Sequence, residues 1–162
     1  MLDILNSTES VTDPAGVDAL AELHGPYKVV RVIDGDTAII NIDGAETRVR
    51  FIGIDTPESV NPDESKNVPE GKVASDYTKT LLNEKKVYLE YDVDREDDYG
   101  RTLAYVYIDG GSTMVQAKLL EAGMATTMTI QPNSKYAAYL YGVMVEAREN
   151  KAGFWATGFF SD

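Results

Sequence analysis

Residues 27–54 read YKVVRVIDGDTAIINIDGAETRVRFIGI, three apolar runs cut by two Asp-Gly pairs. Asp34-Gly35 and Asp43-Gly44 separate Tyr27 to Ile33, Thr37 to Ile42 and Glu46 to Ile54. Asp-Gly between apolar runs is the strongest short-range hairpin signal, so the stretch predicts three strands joined as a meander.

Downstream, Val73, Tyr77 and Leu81 recur every four residues and predict a helix from about Gly71 to Glu84 that packs by that stripe. Lys86 to Asp92 and Thr102 to Ile108 alternate as two further strands. Thr113 with Gln116 makes a capping box for a short helix carrying Val115, Leu119 and Ala122 and stopping at Gly123. Ala137, Leu140, Tyr141, Met144 and Val145 define one face of a last helix from about Ser134 to Asn150. Three strands, a helix, two strands and two helices give an α+β fold, a five-stranded OB-type β-barrel with three α-helices. One long polar loop, Ser59 to Glu70, interrupts the pattern with Pro62, Pro69 and the acidic Asp63, Glu64 and Glu70, a composition common in functional or mobile loops. Upstream, residues 1–25 carry five acidic side chains, no Lys or Arg and little apolar periodicity, which reads as a flexible acidic leader ahead of a domain spanning 26–162.

Composition narrows the chemistry. At 162 residues, 43% hydrophobic and 26% charged, the chain has the length of one domain with a substantial core. No apolar run is long enough for a membrane span, so no membrane partner is expected. The N-terminus lacks the basic start and apolar stretch of a signal peptide, which leaves the compartment open, secretion of a trimmed chain included. Without cysteine there are no disulfides, thiolate ligands or thiol nucleophiles, and the single histidine, His24, in the polar approach to the first strand, cannot build a multi-histidine zinc site. Acidic oxygens remain as metal ligands. The formal net charge is −12, and beyond the leader 15 basic residues still face 22 acidic ones. That balance argues against a polyanionic partner, because phosphate contacts depend on Lys and Arg.

Each candidate motif, taken singly, has a plain structural explanation. Asp34-Gly35-Asp36-Thr37 is a turn that also places a carboxylate, Asp36, at the rim of a barrel. Arg48 and Arg50 are strand charges, though an inward Arg at a barrel mouth suits a phosphate clamp. Asp55-Thr56-Pro57-Glu58 ends a strand, and its two carboxylates with a carbonyl between them are what a hard divalent ion and a general base require. Asp97-Asp98-Tyr99-Gly100-Arg101 is a turn before a strand. Tyr136, Tyr139 and Tyr141 read as helix packing and Trp155 as a core plug.

The combination is more specific than its parts. Ile33-Asp34-Gly35-Asp36-Thr37, then Arg50-Phe51-Ile52-Gly53-Ile54-Asp55-Thr56-Pro57-Glu58, then Asp98-Tyr99-Gly100-Arg101-Thr102-Leu103-Ala104-Tyr105 occur in order, followed by Leu120-Glu121-Ala122-Gly123-Met124-Ala125 and Phe154-Trp155. Together they resemble the staphylococcal nuclease family. The resemblance implies that Asp36, Asp55 and the main-chain carbonyl of Thr56 bind Ca²⁺, that Glu58 is the general base, that Arg50 and Arg101 hold the phosphate, and that Tyr99 lies beside the substrate. It further implies a monomer that cleaves DNA or RNA, probed best as single strands, with low sequence specificity, leaving 3′-phosphates. The all-oxygen ligand set also admits Mg²⁺ or Mn²⁺. In the family pattern lysines stand where this chain has Asp63, Glu64, Glu70 and Asp98, and tyrosines stand at Met128 and Ile130, so phosphate affinity and base stacking should both suffer. Two other readings fit parts of the pattern. One is a non-catalytic nuclease-type barrel that binds a protein or nucleic acid; the other is a structural calcium site, which leaves Glu58 and both arginines without a role.

Strand alternation sets a geometric condition on all of this. Arg50, Ile52 and Ile54 would share one face of a straight strand and Asp55 the other, so a bulge or sharp bend near Gly53 or at the strand end is required if Arg50 and Asp55 are to meet.

Overall fold

Asp43 and Gly44 both adopt positive φ, 52° and 93°, the conformation a two-residue hairpin turn with the right-handed twist of its strands demands. They join β2 (Thr37–Ile42) to β3 (Ala45–Phe51), and β1 (His24–Asp34) pairs with β2 through a second two-residue turn. That second turn is Gly35-Asp36 rather than Asp34-Gly35, since Asp34 pairs with Thr37. Asp36 therefore sits in the turn itself. The computed structural model describes residues 22–161, and most of the expected leader, residues 1–21, lies outside them. His24 begins β1 and stacks on Tyr91, ring centroids 4.9 Å apart.

The expected third strand breaks at Ile52. Gly53 takes φ 90°, and a Cβ there would also lie 2.7 Å from Leu140 Cδ1, so glycine is required twice over. Beyond the break, β4 (Gly53–Asp55) leaves the main sheet and pairs with a later strand. The main sheet continues from β1 to β5 (Lys86–Glu90), β6 (Thr102–Ile108) and β7 (Thr113–Met114). It closes where β3 runs parallel to β6, with Val49 opposite Thr102, Arg50 opposite Leu103 and Phe51 opposite Ala104. β1, β2, β3, β5 and β6 thus form the five-stranded barrel, and closure removes the free edges. Ala38, Ile40, Val49, Phe51, Val87, Leu89, Ala104 and Val106 fill its interior and are fully buried.

The helices correct part of the expected faces: Tyr77 and Leu81 pack against the core as expected, and Val73 does not. In α1 (Pro69–Leu82) the buried positions are Gly71, Ala74, Ser75, Thr78 and Leu82, while Val73 is exposed. Small side chains let the helix lie close to the barrel rim, where Thr78 Oγ1 donates to the Gly35 carbonyl at 2.7 Å. The capping box does not form at α2 (Val115–Glu121). Thr113 donates to Asp109 instead, and the N-cap is Met114 without a side-chain bond. Strand β8 (Thr126–Met128) pairs with β4, and α3 (Ala137–Glu149) buries Leu140, Met144 and Ala147 but leaves Tyr141 exposed. Tyr136 is buried, whereas Tyr139 is partly so. A fourth, short helix α4 (Phe154–Thr157) buries Phe154, while Trp155, half-covered beside it, packs against the main core as expected. Among the described residues no helix is long and apolar enough to cross a membrane.

Gln116, expected in a cap, is fully buried and joins three elements. Its Oε1 accepts from Val106 N at 3.1 Å, and its Nε2 donates to the carbonyls of Ile52 and Ala104, each at 3.2 Å. It pins the strand break to the barrel wall. Gln116→Met keeps the volume and strands the Val106 amide and the Ile52 carbonyl, so urea unfolding should show a loss of about 2–4 kcal/mol. A loss below about 0.5 kcal/mol would remove Gln116 as the pin.

Candidate functional site

The break at Ile52–Gly53 is what brings Arg50 and Asp55 together. Arg50 is buried, and its Nη1 donates to the carbonyls of Phe51 at 2.7 Å and Ile54 at 2.9 Å, stapling the bend from inside. Its Nη2 lies 3.3 Å from Asp36 Oδ2 and 3.5 Å from Asp55 Oδ1. The condition set by strand alternation is met by the bend. Asp36 is fixed from every side: its carbonyl accepts from Phe51 N at 2.9 Å, its Oδ1 from Thr37 Oγ1 at 2.9 Å and its Oδ2 from Thr56 N at 3.0 Å. Its carboxylate is 9% exposed against 51% for Asp55, so one is a buried anchor and the other faces solvent.

Glu58 follows on an exposed turn that its surroundings hold in place. The Glu58 carbonyl accepts from Val68 N at 3.0 Å, and its side-chain Oε1 accepts from Asn61 Nδ2 at 2.7 Å. Asn61 is paired in turn with Asn67, whose Oδ1 accepts from Asn61 N at 2.7 Å and whose Nδ2 donates to the Asn61 carbonyl at 3.1 Å. At the first turn of α1, a Cβ on Gly71 would come within 2.1 Å of the Glu58 carbonyl oxygen. Ser59 donates to Asp34 through both its amide and its hydroxyl. Asn61, Asn67 and Gly71 were not expected from sequence; two asparagines in a Pro-bounded loop carry a turn signal and nothing that points to Glu58.

Carboxylates are crowded here. Burial pushes Asp55 above the usual carboxylate range, the charges of Asp36 and Glu58 push the same way, and Arg50 opposes them. Burial also raises Asp34, with the Ser59 hydrogen bonds working against it and Asp36 and Glu58 adding to it. Among the described residues no three acidic or histidine side chains converge as a metal cage. The donors at hand are the Asp36 and Asp55 carboxylates and neighbouring carbonyls, with the Thr56 hydroxyl buried and without a hydrogen-bond partner. An all-oxygen, anionic set short of one positive charge fits a hard divalent cation.

Arg101 reaches the same region from the turn before β6. Asp97 Oδ2 lies 2.7 Å from Arg101 Nε, while its Oδ1 accepts from the amides of Tyr99 and Arg101, each at 2.9 Å. Gly100 adopts φ 80° in this turn. Tyr99 is 84% exposed, with the Arg101 guanidinium 5.5 Å from its ring centroid. Arg50, Tyr99, Arg101, Leu103, Met128 and Ile130 line one cavity of about 330 Å³, whose rim also carries Asp94, Glu96, Asp97 and Asp98. Asp55, Thr56 and Glu58 line a second, of about 260 Å³. The seven residues singled out in the sequence thus form one region with two hollows. Arg50 joins them, since it lines the first and contacts Asp55 of the second.

Comparison with known proteins gives this arrangement a context. A family model described as staphylococcal nuclease homologue matches residues 48–157. The chain is 45% identical over 130 residues to a thermonuclease of Staphylococcus hyicus, covering 80% of this chain and 75% of that protein. It is 46% identical over 129 residues to a thermonuclease of Staphylococcus intermedius, with the same coverage. The endonuclease YncB of Bacillus subtilis (strain 168) is 41% identical over 128 residues, 78% of this chain and 59% of the relative.

Asp97 offers a test of how Arg101 is held. Burial alone would raise its carboxyl, but hydrogen bonds from Arg101 and Tyr99 outweigh that and lower it below the ordinary aspartate value. A depressed folded value contributes stability that is present above the unfolded pKa and lost as pH falls through the folded one. The stability gap between the wild type and Asp97→Asn, measured in urea, should therefore be widest near neutrality and close as pH falls through and below the ordinary aspartate range. A gap independent of pH would show that Asp97 does not hold Arg101 through its charge.

Proposed function

The chain belongs to the staphylococcal nuclease family and is a nuclease, and we propose that it hydrolyses phosphodiester bonds of single-stranded DNA or RNA as a calcium-dependent monomer of low sequence specificity, leaving 3′-phosphates. The observation that carries this reading is the buried Arg50 bridging Asp36 and Asp55 at the strand break, with Glu58 three residues beyond.

Asp36, Asp55 and the Thr56 carbonyl are the groups that would hold the cation. When bound, a divalent ion there supplies Lewis-acid polarisation of the phosphoryl oxygen. Glu58, with Oε1 oriented by Asn61, takes a proton from the water that attacks phosphorus. The P–O5′ bond breaks, the 3′-phosphate remains on one fragment and a 5′-hydroxyl forms on the other. Arg101 gives its Nε to Asp97, which leaves its two terminal amino groups for a phosphate oxygen pair. Arg50 already serves two carbonyls and two carboxylates, so its part is to preorganise the site and place one positive charge beside the reacting phosphate. Tyr99 lies at the mouth of the first cavity, where the nucleoside is received. Met128 and Ile130 give that cavity apolar contact without ring stacking.

The acidic surface bears on affinity rather than on chemistry. A net charge of −12 repels a polyanion at long range, and screening by salt or by divalent cations should reduce that cost.

The test is cleavage of a single-stranded oligonucleotide at micromolar protein. Cleavage is expected with Ca²⁺ and absent with EDTA. Glu58→Gln should lower kcat by about 10²- to 10⁴-fold, and Arg101→Ala by on the order of 10²-fold. Equal turnover by Glu58→Gln would remove it as the base. No Ca²⁺-dependent cleavage by the wild type, with retained binding of an oligonucleotide or a basic protein, would establish the non-catalytic binding module instead.

A further inference from the structure

The second cavity has an aromatic wall that the hydrolytic step does not use. Asp55, Thr56, Glu58, Lys66, Phe159 and Phe160 are among the residues that line it. Phe159 is 41% exposed, whereas the nearby Phe154 is 5% exposed. Its position is built. Gly158, at φ 82°, turns the chain back after α4, Phe160 N donates to the Phe154 carbonyl at 3.1 Å, and Phe159 N donates to Thr157 Oγ1 at 3.3 Å. The rings of Phe159 and Phe160 lie 5.7 Å and 5.5 Å from that of Phe154 and 5.6 Å from each other, so the outer ring stands on an aromatic base. Lys66 brings a cation into a loop otherwise marked by Asp63, Glu64 and Glu70.

Resting on the nuclease reading, we propose that this cavity is a second nucleotide subsite, which takes the base on the far side of the scissile phosphate from the first cavity. Phe159 stacks on that base and Lys66 contacts its neighbouring phosphate. Asp55 and Glu58 belong both to the reaction site and to this cavity, so a strand whose phosphate is held by Arg101 beside the charge of Arg50 has its next nucleotide delivered to the cavity that Glu58 and Phe159 line. A volume of about 260 Å³ falls below the usual range of drug-sized pockets and suits one base. An exposed aromatic platform beside a lone cation is the combination that single-stranded nucleic acid selects, because every base has a π-face to stack and phosphates need a counter-charge. The subsite also supplies here the stacking that Met128 and Ile130 cannot provide in the first cavity.

The experiment compares the wild type, Phe159→Ala, Phe159→Leu and Lys66→Gln on short single-stranded oligodeoxynucleotides with Ca²⁺. One substrate carries all its bases; two others carry an abasic residue on one side or the other of a single cleavable linkage. Phe159→Ala should lower kcat/KM about tenfold or more on the intact substrate, and have no effect on the substrate abasic on the Phe159 side. Phe159→Leu should fall with Phe159→Ala despite its apolar bulk, while its thermal unfolding stays near the wild type, which separates stacking from folding. Lys66→Gln should weaken binding across sequences and reduce the salt slope by about one ion. Equal losses on intact and abasic substrates, or no loss on either, would overturn the subsite. If the wild type cleaves nothing, the nuclease reading fails by itself. The same three oligonucleotides, followed by fluorescence anisotropy with Ca²⁺, then decide the subsite: an unchanged Kd for Phe159→Ala on the intact strand sinks it, and a selective loss on that strand supports it.

Discussion

The guanidinium of Arg50 is the interaction on which the rest of the site depends. A buried cation is costly unless it is paired and hydrogen-bonded, and this one meets two carbonyls of the strand break and two carboxylates of neighbouring segments. The break could not close without it, because the carbonyls of Phe51 and Ile54 turn inward there and need a donor. From the opposite side Gln116 satisfies the Ile52 carbonyl, so two polar side chains from distant parts of the chain complete the bend. Removing either would leave buried backbone groups unmatched, which is why the bend is a defined conformation rather than a flexible one.

Bending the strand has an electrostatic consequence. It brings Asp36 and Asp55 to Arg50, their shared positive partner, with Asp34 and Glu58 close enough to be felt, and burial together with mutual repulsion holds Asp34 and Asp55 above their ordinary range. Such an arrangement is uncomfortable for a protein at rest and useful to one that binds a cation, since the ligands need no reorganisation when it arrives. The loop after Glu58 and the first turn of α1 share in this, because Asn61 and the missing side chain of Gly71 keep Glu58 at the edge of the cluster.

Elsewhere the barrel contains a second buried charge, and it is treated differently. Glu90, 3% exposed, accepts from the hydroxyls of Tyr107 at 2.6 Å and Tyr136 at 2.9 Å, and pairs with Lys135 Nζ at 2.6 Å. Burial and the neighbouring carboxylate push the Tyr107 hydroxyl far upward, so it stays a neutral donor. Every acceptor is matched, and the network ties β5 and β6 to the segment entering α3. That segment carries Asn133, which exchanges two hydrogen bonds with Asp94 and so holds Ile130 and Asp94 at the mouth of the first cavity. Glu90 is thus fully satisfied and structural, whereas the Asp55 carboxylate, paired with Arg50, stays half exposed.

Local chemistry made much of this legible from residues alone. Asp-Gly pairs and apolar alternation located β1, β2, β3, β5 and β6, and the order of elements implied the barrel, because hairpin turns and strand periodicity act over a few residues. Asp36, Arg50, Asp55, Thr56, Glu58, Tyr99 and Arg101 stand out only through the resemblance of their motifs to a known family, since each motif alone reads as a turn or a strand charge. Tertiary contacts decided the rest. The break after Phe51 is held by Gln116, 64 positions away in sequence, reaching the Ile52 carbonyl. That α1 buries Ala74 and Thr78 rather than Val73 follows from how closely the helix must approach Gly35, and that Phe159 reaches the Asp55–Glu58 side follows from the left-handed turn at Gly158. A sequence states which groups are present and how they pair with near neighbours; which distant groups they meet is settled by the packing of the closed barrel, where each side chain's options are limited by volume and by the need to satisfy every buried polar atom.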